Sequence, residues 1–493
     1  MYKRVTAICV SIILALTASV GRIAYIIFGG EYEVSSGYNS YTLDLSVLKP
    51  TLYDCNLNKI SNNKVAYKII IRPNEKFLNE LQYLYSKSEI KEIKDELSKG
   101  YPVIRTVSKP NKNLKYIQTV EVVDDVKSDD IFINSIKANF NDEIGSKKVN
   151  FSVDALGRLL DGDNGTIVDD EYYIQRGVIL TLNSNFQKIV NEATESMQKG
   201  AVVVMDVKNG NILALVSKGD DYLNRGILPC PVGSVFKLAV CVCAIQHNIL
   251  ENYNCEGSIT VGDTTYSCQK KTAHGNQSMK EALANSCNCY FVNLALALGA
   301  DKLTETAKSL GFGEDIYLED EITVKAGSFP DENALQSKGQ LALLGFGQGM
   351  LTDSPIHFCS FISSIANGGV YYNPNIILGS VDENGGAYYN EPSRGERVMN
   401  ASTAYKLSEY MRYVVSNGTG RNADYNFMSA GNPSTAQTGR YGGDKEICNT
   451  RFAGFYPYNN PKYAIVVMNE NGTSGAGDCC PIFRTIVENI SSM

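Results

Sequence analysis

A nearly continuous apolar run lies close to the N-terminus. Lys3 and Arg4 precede apolar residues 5–20, and the apolar character resumes over residues 23–28. As a helix, this segment is long enough to cross about 30 Å of hydrocarbon. The basic residues before it predict a cytoplasmic N-terminus. We therefore expect residues 1–30 to form a single-pass anchor in the cell membrane, with the rest of the chain outside the cell. A cleaved signal peptide with residues 5–20 as its apolar part is the alternative.

Residues 31–175 alternate between polar stretches and short structured patterns. Residues 65–72 have the apolar, β-branched character of a strand that ends at Pro73. Residues 76–99 form a charged amphipathic helical pattern that Gly100 ends. The segment shows no cluster of catalytic side chains, so we expect residues 31–175 to form a non-catalytic pedestal or spacer domain.

From residue 176 onwards the pattern is that of a sheet covered by helices. Apolar runs at residues 201–206 and 211–217 flank Asn209-Gly210, which is the strongest short-range signal for a β-hairpin. Asn183 is placed to cap a helix. Helical patterns cover residues 234–247, 278–298 and 481–490, and strand patterns cover residues 178–182, 451–456 and 463–468. This order predicts an α+β domain over residues 176–493, in which helices cover an antiparallel sheet.

Composition and charge disfavour several classes of function. The chain has 493 residues, too many for one compact core, and its net charge of −7 argues against a nucleic-acid partner. Its three histidines, His247, His274 and His357, lie far apart in the sequence. This spacing argues against a zinc hydrolase and against a Ser-His-Asp triad. We therefore expect a catalytic base from Lys, Glu or Asp.

The thirteen cysteines include no Cys-x-x-Cys pair. This pattern disfavours zinc ribbons and thioredoxin-like motifs, and we expect neither a metal site nor a cofactor. Cys255 and Cys268 flank a polar, glycine-bearing stretch. In an exported chain they could form a disulfide, which would be worth about 3 kcal/mol for so short a loop. Two unpaired loop thiols are the alternative.

Ser234 is the strongest candidate nucleophile. Ser-x-x-Lys is a weak pattern by itself and also occurs at Ser88, Ser196 and Ser267. At Ser234, however, Pro-x-Gly precedes the serine and an apolar helical run follows directly. The helix N-terminus favours a developing oxyanion, and Lys237 would give up its proton readily if the apolar helix desolvates it. A capping serine with an exposed lysine is the alternative.

Two later segments have the spacing of the same kind of site. Ser286 and Asn288 follow a helical pattern, and a hydroxyl and an amide two residues apart can enter one cleft. The segment Gly431-Asn432-Pro433-Ser434-Thr435-Ala436-Gln437 lies shortly before the strand pattern at residues 451–456.

The chain resembles a class B penicillin-binding protein, one of the membrane-anchored D,D-transpeptidases that cross-link peptidoglycan in cell division or sporulation. The family is marked by Ser-x-x-Lys, Ser-x-Asn and Lys-Thr-Gly in that order. The first two occur here as Ser234-Val235-Phe236-Lys237 and Ser286-Cys287-Asn288. The resemblance is dense over about residues 176–493 and thin over about residues 30–175. It implies the penicillin-binding transpeptidase fold, which is similar to that of serine β-lactamases. Further matching segments are His274-Gly275, Gly347-Gln348-Gly349, Ser354-Pro355 and Ala366-Asn367-Gly368-Gly369.

The resemblance also implies roles for single residues. Ser234 would attack the penultimate D-Ala carbonyl of a stem peptide, and Lys237 would take its proton. Ser286 would pass a proton to the leaving D-Ala amine, and Asn288 would hydrogen-bond the substrate backbone. The backbone N–H groups of Ser234 and Thr435 would form the oxyanion hole.

The third motif departs from Lys-Thr-Gly. In one register Asn432, Pro433 and Ser434 occupy its three places on the substrate-binding strand, which continues with Thr435, so that none of the three is the Lys, Thr or Gly of the family. In the other register the motif is Gln437-Thr438-Gly439. We favour the first, because Ala430-Gly431 and Thr435-Ala436-Gln437 flank it as in the family. Losing such charge-assisted contacts costs about a hundredfold or more in rate, unless Arg440 or Lys445 compensates.

Three hypotheses for function follow from this resemblance. The first is a peptidoglycan D,D-transpeptidase that binds β-lactams covalently and works with a glycosyltransferase of the division or sporulation machinery. The second is a catalytically weakened homologue that acts as a scaffold in cell-wall synthesis. The third, a β-lactamase or β-lactam sensor, fits the long spacer poorly. We favour the first.

Overall fold

The protein divides into two compact units, and each combines segments that are distant in the sequence. The computed structural model describes residues 2–28, 40–124, 130–154, 156–160, 162–172, 176–319, 322–442 and 445–493. The first unit comprises Met1–Ser46, Tyr67–Glu121 and Lys147–Asp170. The second comprises Val47–Ala66, Val122–Ser146 and Glu171–Met493.

The chain begins with a helix over Tyr2–Phe28. The side chains described in it are those of residues 10–22 and Tyr25, and all of them are exposed. In the described part of the chain, no helix has both the length and the apolar character needed to cross a membrane. The anchor expected over residues 1–30 includes residues 1, 29 and 30, which lie outside the described residues, and it stays a prediction.

The first unit is built mainly from small sheets and short helices. Its core contains Ile69, Ile71, Phe77, Ile93 and Leu97. The single helix expected over residues 76–99 is two helices, since a capping box formed by Ser86 and Glu89 starts a new one. One three-stranded sheet has the spatial order Val103–Val107, Lys64–Ile71, Gln118–Asp124, and a second has the order Ser40–Leu48, Gly145–Ser152, Thr166–Asp170. The helical segments are the α-helices Glu75–Glu80 and Lys87–Leu97 and the 3₁₀ turn Leu81–Tyr83.

A five-stranded antiparallel sheet forms the centre of the second unit. Its spatial order is Ile212–Lys218, Gly200–Asp206, Tyr463–Gly472, Lys445–Tyr456 and Ala430–Gly442. The hairpin predicted around Asn209-Gly210 is confirmed, with Gly210 at φ +75°. The predicted α+β class, an antiparallel sheet covered by helices, is confirmed as well.

Both faces of this sheet are buried against helices. Along the strand Gly200–Asp206, Val202 and Val204 contribute to one hydrophobic core, whereas Val203 and Met205 contribute to the other. This follows from the two-residue period of a strand. The helices of the second unit are Ile131–Asn139, Ser184–Ala193, Lys237–Gln246, Met279–Ala284, Asn288–Leu298, Ala300–Ser309, Glu332–Leu335, Lys338–Gly345, Pro355–Ala366, Ala401–Asn417 and Cys480–Ser491.

A smaller sheet in the second unit draws in residues from before position 175. Thr51–Tyr53 pairs in parallel with Gly177–Leu180, which pairs with Ile377–Val381 and, through it, with Ala387–Tyr389. The single boundary expected at residue 175 is therefore too simple, because backbone pairing places residues 47–66 in the second unit. The two-stranded pairs are Cys230–Pro231 with Thr352–Asp353, Tyr253–Cys255 with Gly275–Gln277, Ser258–Val261 with Thr264–Ser267, Ile316–Glu319 with Ile322–Val324, and Val370–Tyr371 with Glu396–Arg397.

Candidate active site

Ser234 lies in the turn that leads into the helix Lys237–Gln246. Residues Gly233–Phe236 form a 3₁₀ turn, and Ser234 is partly exposed there. Gly233 has φ +68°, and its N–H donates to the Gly347 carbonyl at 2.9 Å. A Cβ on Gly233 would lie 2.4 Å from the Ser434 Oγ. Both the positive φ and this close approach favour glycine, which explains the residue before the serine.

Lys237 is completely buried, and its amine joins the first two motifs. The Nζ donates to the Ser286 carbonyl at 2.9 Å, to the Ser286 Oγ at 3.1 Å and to the Asn288 Oδ1 at 2.9 Å. Burial, which penalises the charged amine, lowers the pKa of Lys237 to about 8. A share of this amine is therefore uncharged near neutral pH, as a general base requires.

Ser286 connects this amine to the nucleophile. Its Oγ donates to the Ser234 Oγ at 3.3 Å while accepting a hydrogen bond from Lys237. Ser286 has φ +51°, an uncommon conformation for a residue other than glycine, directly after a short helix ends. The hydroxyls of Ser234 and Ser286 and the amine of Lys237 thus form one connected proton path.

Asn288 lies beside the same network, at the start of the helix Asn288–Leu298. Its Oδ1 accepts from Lys237, and its Nδ2 donates to the Ser267 carbonyl at 3.0 Å. Both ends of the amide are therefore engaged within the protein. Asn288 therefore lies in the network with Lys237, and the contact expected from it to a substrate backbone stays a prediction.

The strand Ala430–Gly442 carries the third motif along the nucleophile turn. The Asn432 Nδ2 donates to the Ser234 carbonyl at 3.1 Å, and the Ser434 Oγ donates to the Val232 carbonyl at 3.1 Å. Thr435 Oγ1 accepts from the Gly475 N–H at 3.3 Å. Asn432 and Ser434 are buried, and their hydrogen bonds go to backbone carbonyls of the nucleophile turn.

These contacts agree with the first of the two registers. In the other register, the Gln437 side chain and the Gly439 N–H both bind the Glu446 carboxylate in the adjoining hairpin. Arg440 is exposed in the same hairpin, and the Lys445 side chain lies outside the described residues. Pro433 is on the edge strand of the sheet, where a missing backbone N–H is tolerated.

Arg451 is a buried cation that sequence analysis did not single out. It pairs with Ser434 in the sheet register and is only 2% exposed. Its Nη2 lies 2.8 Å from the Cys230 Sγ, and its guanidinium lies 5.1 Å from the Phe358 ring centre. The strand beside the third motif therefore contains a positive charge, directed to the nucleophile segment at Cys230. Arg451 was missed because it begins a run of residues that the sequence analysis interpreted only as a strand.

Cysteine and histidine side chains from separate loops converge directly behind the second motif. Donor atoms of Cys255, Cys268, His274 and Cys287 all lie within 4.8 Å of one another. Cys289 adds a fifth donor, with its Sγ 3.5 Å from that of Cys268. The expectation that the chain has no metal site rested on the absence of Cys-x-x-Cys spacing, and folding assembles these four side chains without that spacing.

The predicted pairing of Cys255 with Cys268 is not present. Their sulfurs lie 3.8 Å apart, well beyond the bond length of a disulfide, and both are free thiols. The alternative of two unpaired loop thiols agrees better with the structure, although both thiols are buried. Sequence analysis placed these cysteines together correctly and missed that Cys287 and His274 join them.

Comparison with known proteins identifies the second unit. A family described as the penicillin-binding protein transpeptidase domain matches residues 200–488. The chain belongs to this family. The match includes Ser234 and Lys237, the Ser286-Cys287-Asn288 segment and the third-motif strand, so the transpeptidase domain contains the whole network described above.

Two curated relatives extend the match. The chain is 28% identical to the Stage V sporulation protein D of Bacillus subtilis over 373 residues, covering 68% of this chain and 56% of that protein. It is 26% identical to the peptidoglycan D,D-transpeptidase MrdA of Haemophilus influenzae over 370 residues, covering 64% and 56%. The chain thus spans about half the length of the curated relatives that it matches.

A solved structure shows the same fold over almost the entire chain. It belongs to a study of the structural coordination of polymerization and cross-linking by a peptidoglycan synthase complex. The TM-score is 0.65 at 20% identity, covering 99% of this chain and 98% of that one. At this identity the likeness shows a similar fold, and it covers both the matched transpeptidase domain and the residues before it.

Proposed function

We propose that this protein is a serine D,D-transpeptidase that cross-links peptidoglycan stem peptides and binds penicillin covalently. The observation that carries the proposal is the hydrogen-bonded path from Ser234 through Ser286 to the buried amine of Lys237. The family match and the relative named as a peptidoglycan D,D-transpeptidase support it.

The first half-reaction forms an acyl-enzyme. The Ser234 Oγ attacks the penultimate D-Ala carbonyl carbon while its proton moves towards Lys237, directly or through Ser286. The C–N bond to the terminal D-Ala then breaks, and Ser286 delivers the proton to the leaving amine. The low pKa of Lys237 fits this sequence, because the amine must accept a proton and return it near neutral pH.

The second half-reaction transfers the acyl group. The amine of a second stem peptide attacks the ester carbon, a new amide bond forms, and Ser234 regains its proton from the attacking amine by the same path. In both halves the backbone N–H groups of Ser234 and Thr435 stabilise the oxyanion. β-Lactams would stop after the first half, since their leaving amine stays attached to the acyl group.

The altered third motif would slow this reaction. Asn432 supplies no charge for a substrate carboxylate, Pro433 offers neither a hydroxyl nor an N–H, and Ser434 directs its hydroxyl to Val232. A charge-assisted hydrogen bond is worth roughly 1.5–3 kcal/mol, so we expect slower acylation than in proteins with an intact Lys-Thr-Gly.

The same observation favours a second candidate function. A chain that keeps the fold but acylates very slowly would act as a scaffold in a complex that builds the cell wall. The solved complex of polymerization and cross-linking supports a glycosyltransferase as the partner in either case. Either function requires that the predicted anchor holds the transpeptidase domain outside the cell membrane.

Intact-mass analysis after exposure of the purified protein to penicillin tests the proposal. We expect the mass to increase by one penicillin in the wild type and not in Ser234→Ala. Ser88→Ala is a matched control, because Ser88 has the same Ser-x-x-Lys spacing on an exposed helix of the first unit. A wild type that gains no mass over hours would overturn the enzymatic proposal and leave the scaffold.

A further inference from the structure

Four potential metal ligands are held by short hairpins and by the second motif. Cys255 ends one strand of a two-stranded pair, and His274 directly precedes the other strand, which begins at Gly275. Cys268 follows the neighbouring hairpin, and Cys287 is the middle residue of Ser-x-Asn. The ligands are thus brought together by the tertiary fold.

Three of the distances between these donors match those of a tetrahedral site, and all four donors lie within 4.8 Å of one another. With zinc–sulfur bonds of about 2.3 Å and zinc–nitrogen bonds of about 2.0 Å, ligand atoms in a tetrahedron are about 3.8 Å and about 3.5 Å apart. The Sγ atoms of Cys255 and Cys268 are 3.8 Å apart, and those of Cys268 and Cys287 are 3.7 Å apart. The His274 Nδ1 lies 3.5 Å from the Cys255 Sγ.

Backbone N–H groups point at two of the sulfurs. The Gly257 N–H donates to the Cys255 Sγ at 3.4 Å, and the Tyr290 N–H donates to the Cys287 Sγ at 3.4 Å. Such hydrogen bonds stabilise a thiolate and orient it, which is the usual arrangement around metal-bound cysteine. The three ligand cysteines are at most 4% exposed, so solvent has little access to them.

We propose that Cys255, Cys268, His274 and Cys287 bind one structural zinc ion directly behind the second motif. Three thiols lose their protons on binding, and the neutral imidazole binds through Nδ1. The resulting Cys₃His set is closed, with four protein ligands and no position left for substrate. Thiolate and imidazole ligands in a tetrahedron favour Zn²⁺ over Mg²⁺, Ca²⁺ and Mn²⁺, which prefer oxygen.

Cys289 lies next to this set but is not part of it. Its Sγ contacts the Cys268 Sγ at 3.5 Å, and it is a buried residue of the helix Asn288–Leu298. A thiol in this position can donate its proton to the zinc-bound Cys268 thiolate. The structure therefore distinguishes a ligand at Cys287 from a neighbour at Cys289, two residues apart.

The zinc ion would restrain the backbone of the second motif. Cys287 lies between Ser286 and Asn288, whose side chains both bind Lys237. Fixing the Cys287 sulfur to three other ligands restrains the backbone at Ser286, which has a positive φ. The site would hold the network in place without taking part in bond making.

Metal content of the full-length protein, purified without chelators, tests the proposal independently of activity. We expect inductively coupled plasma mass spectrometry to find about one zinc ion per chain. After exchange, Co²⁺ should show the intense visible bands of a tetrahedral site and a thiolate charge-transfer band. Cys268→Ser and Cys287→Ser should lose the metal, whereas Cys255→Asp, which keeps an anionic side chain able to bind zinc, should retain more of it than Cys255→Ala.

Two control variants and one measurement on the wild type complete the test. Cys289→Ser and Cys448→Ser should keep the zinc, and a Cys289→Ser protein without it would overturn the ligand set. In the unmodified protein, a chelator should make the cluster thiols react with an alkylating reagent, and added Zn²⁺ should protect them again. A metal-free wild type overturns the proposal, whether its cysteines are free thiols or a disulfide.

Discussion

Two segments lie beside Ser234: the second motif, Ser286-Cys287-Asn288, and the strand Ala430–Gly442. They differ in how many of the family's motif side chains they keep. On one side, Ser286 and Asn288 bind the amine of Lys237 through three hydrogen bonds. On the other side, the strand Ala430–Gly442 carries Asn432-Pro433-Ser434, and the side chains of Asn432 and Ser434 donate to backbone carbonyls of the nucleophile segment. One side has the groups for proton transfer, and the other has lost groups that would hold an anionic substrate.

In the proposed function, the two tasks depend on separate parts of the fold. Proton transfer would use a buried amine and two hydroxyls. Substrate binding would use the edge of the central sheet. A chain can therefore change its hold on the substrate while the nucleophile stays in its place, and experiments can address each side separately.

Removing the amine should have the largest effect. Lys237→Met keeps the volume but removes the base, and we expect acylation by labelled penicillin to slow about 100- to 10,000-fold. The matched control is Lys91→Met, which lies in the Ser88-x-x-Lys pattern of an exposed helix and should acylate like the wild type. A loss under tenfold would move the base to another residue.

Restoring the third motif on the strand Ala430–Gly442 should have the next largest effect, and in the opposite direction. Asn432→Lys combined with Pro433→Thr and Ser434→Gly should speed acylation about 10- to 100-fold, as expected for regained charge-assisted hydrogen bonds. The matched control is Gln437→Lys, which creates Lys-Thr-Gly in the other register. Because Gln437 binds Glu446 in the hairpin, this change should leave the rate unaltered. An increase only with Gln437→Lys would reverse the choice of register.

The pH profile of acylation reports on the amine alone. Burial lowers the pKa of Lys237 to about 8, and the base must be uncharged to accept the Ser234 proton. The rate constant should therefore rise with pH, by about tenfold per unit below pH 8, and level off above it. Stopped-flow or gel measurements with labelled penicillin would show this increase in rate. A rate that stays constant between about pH 6 and about pH 9 would contradict it.

We expect the smallest effect from the pair of Asp353 and His357, which supports the segment before the nucleophile. Asp353 pairs with Cys230, shortly before the nucleophile, and binds the Nδ1 of His357 at 2.5 Å. Burial alone would lower the pKa of His357, but the charge and hydrogen bond of Asp353 outweigh it, and the pKa is raised. This stabilisation is complete below about pH 6.5 and is lost as the pH rises through the folded-state value.

The measurement compares the thermal midpoints of wild type and His357→Gln. We expect a gap of about 2 °C at acid pH that narrows as the pH rises. Circular dichroism suits the experiment, since the chain contains no tryptophan. A gap that widens with pH would show that the pair is not charged in the folded protein.

Local patterns were enough to predict much of the fold and the first two motifs. The Asn209-Gly210 hairpin, the cap at Asn183 and the helix after Ser234 all follow from residues close in sequence. The order of strands did not, because the pairing of Thr51–Tyr53 with Gly177–Leu180 joins distant segments. Nothing in the local pattern specifies such a parallel contact.

The cysteine cluster escaped prediction for a similar reason. Metal sites are recognised in sequences by pairs of ligands two to four residues apart. Here Cys255, Cys268 and Cys287 come from three separate segments, and His274 contributes from a fourth position. The available signal was the alternation Cys287-Asn288-Cys289 within a catalytic motif, where two buried thiols have no role in acyl transfer.

Pro433 also has a consequence for how the sheet meets other chains. It sits on the outermost strand, and an outermost strand is a ready template for any extended polypeptide. The amide groups of residues two apart point the same way, so the absent N–H of Pro433 interrupts the row that includes Thr435. An incoming strand would lose a rung of the ladder there. At Pro433 the edge is therefore a poorer template for strand addition than an unbroken row of N–H groups would be.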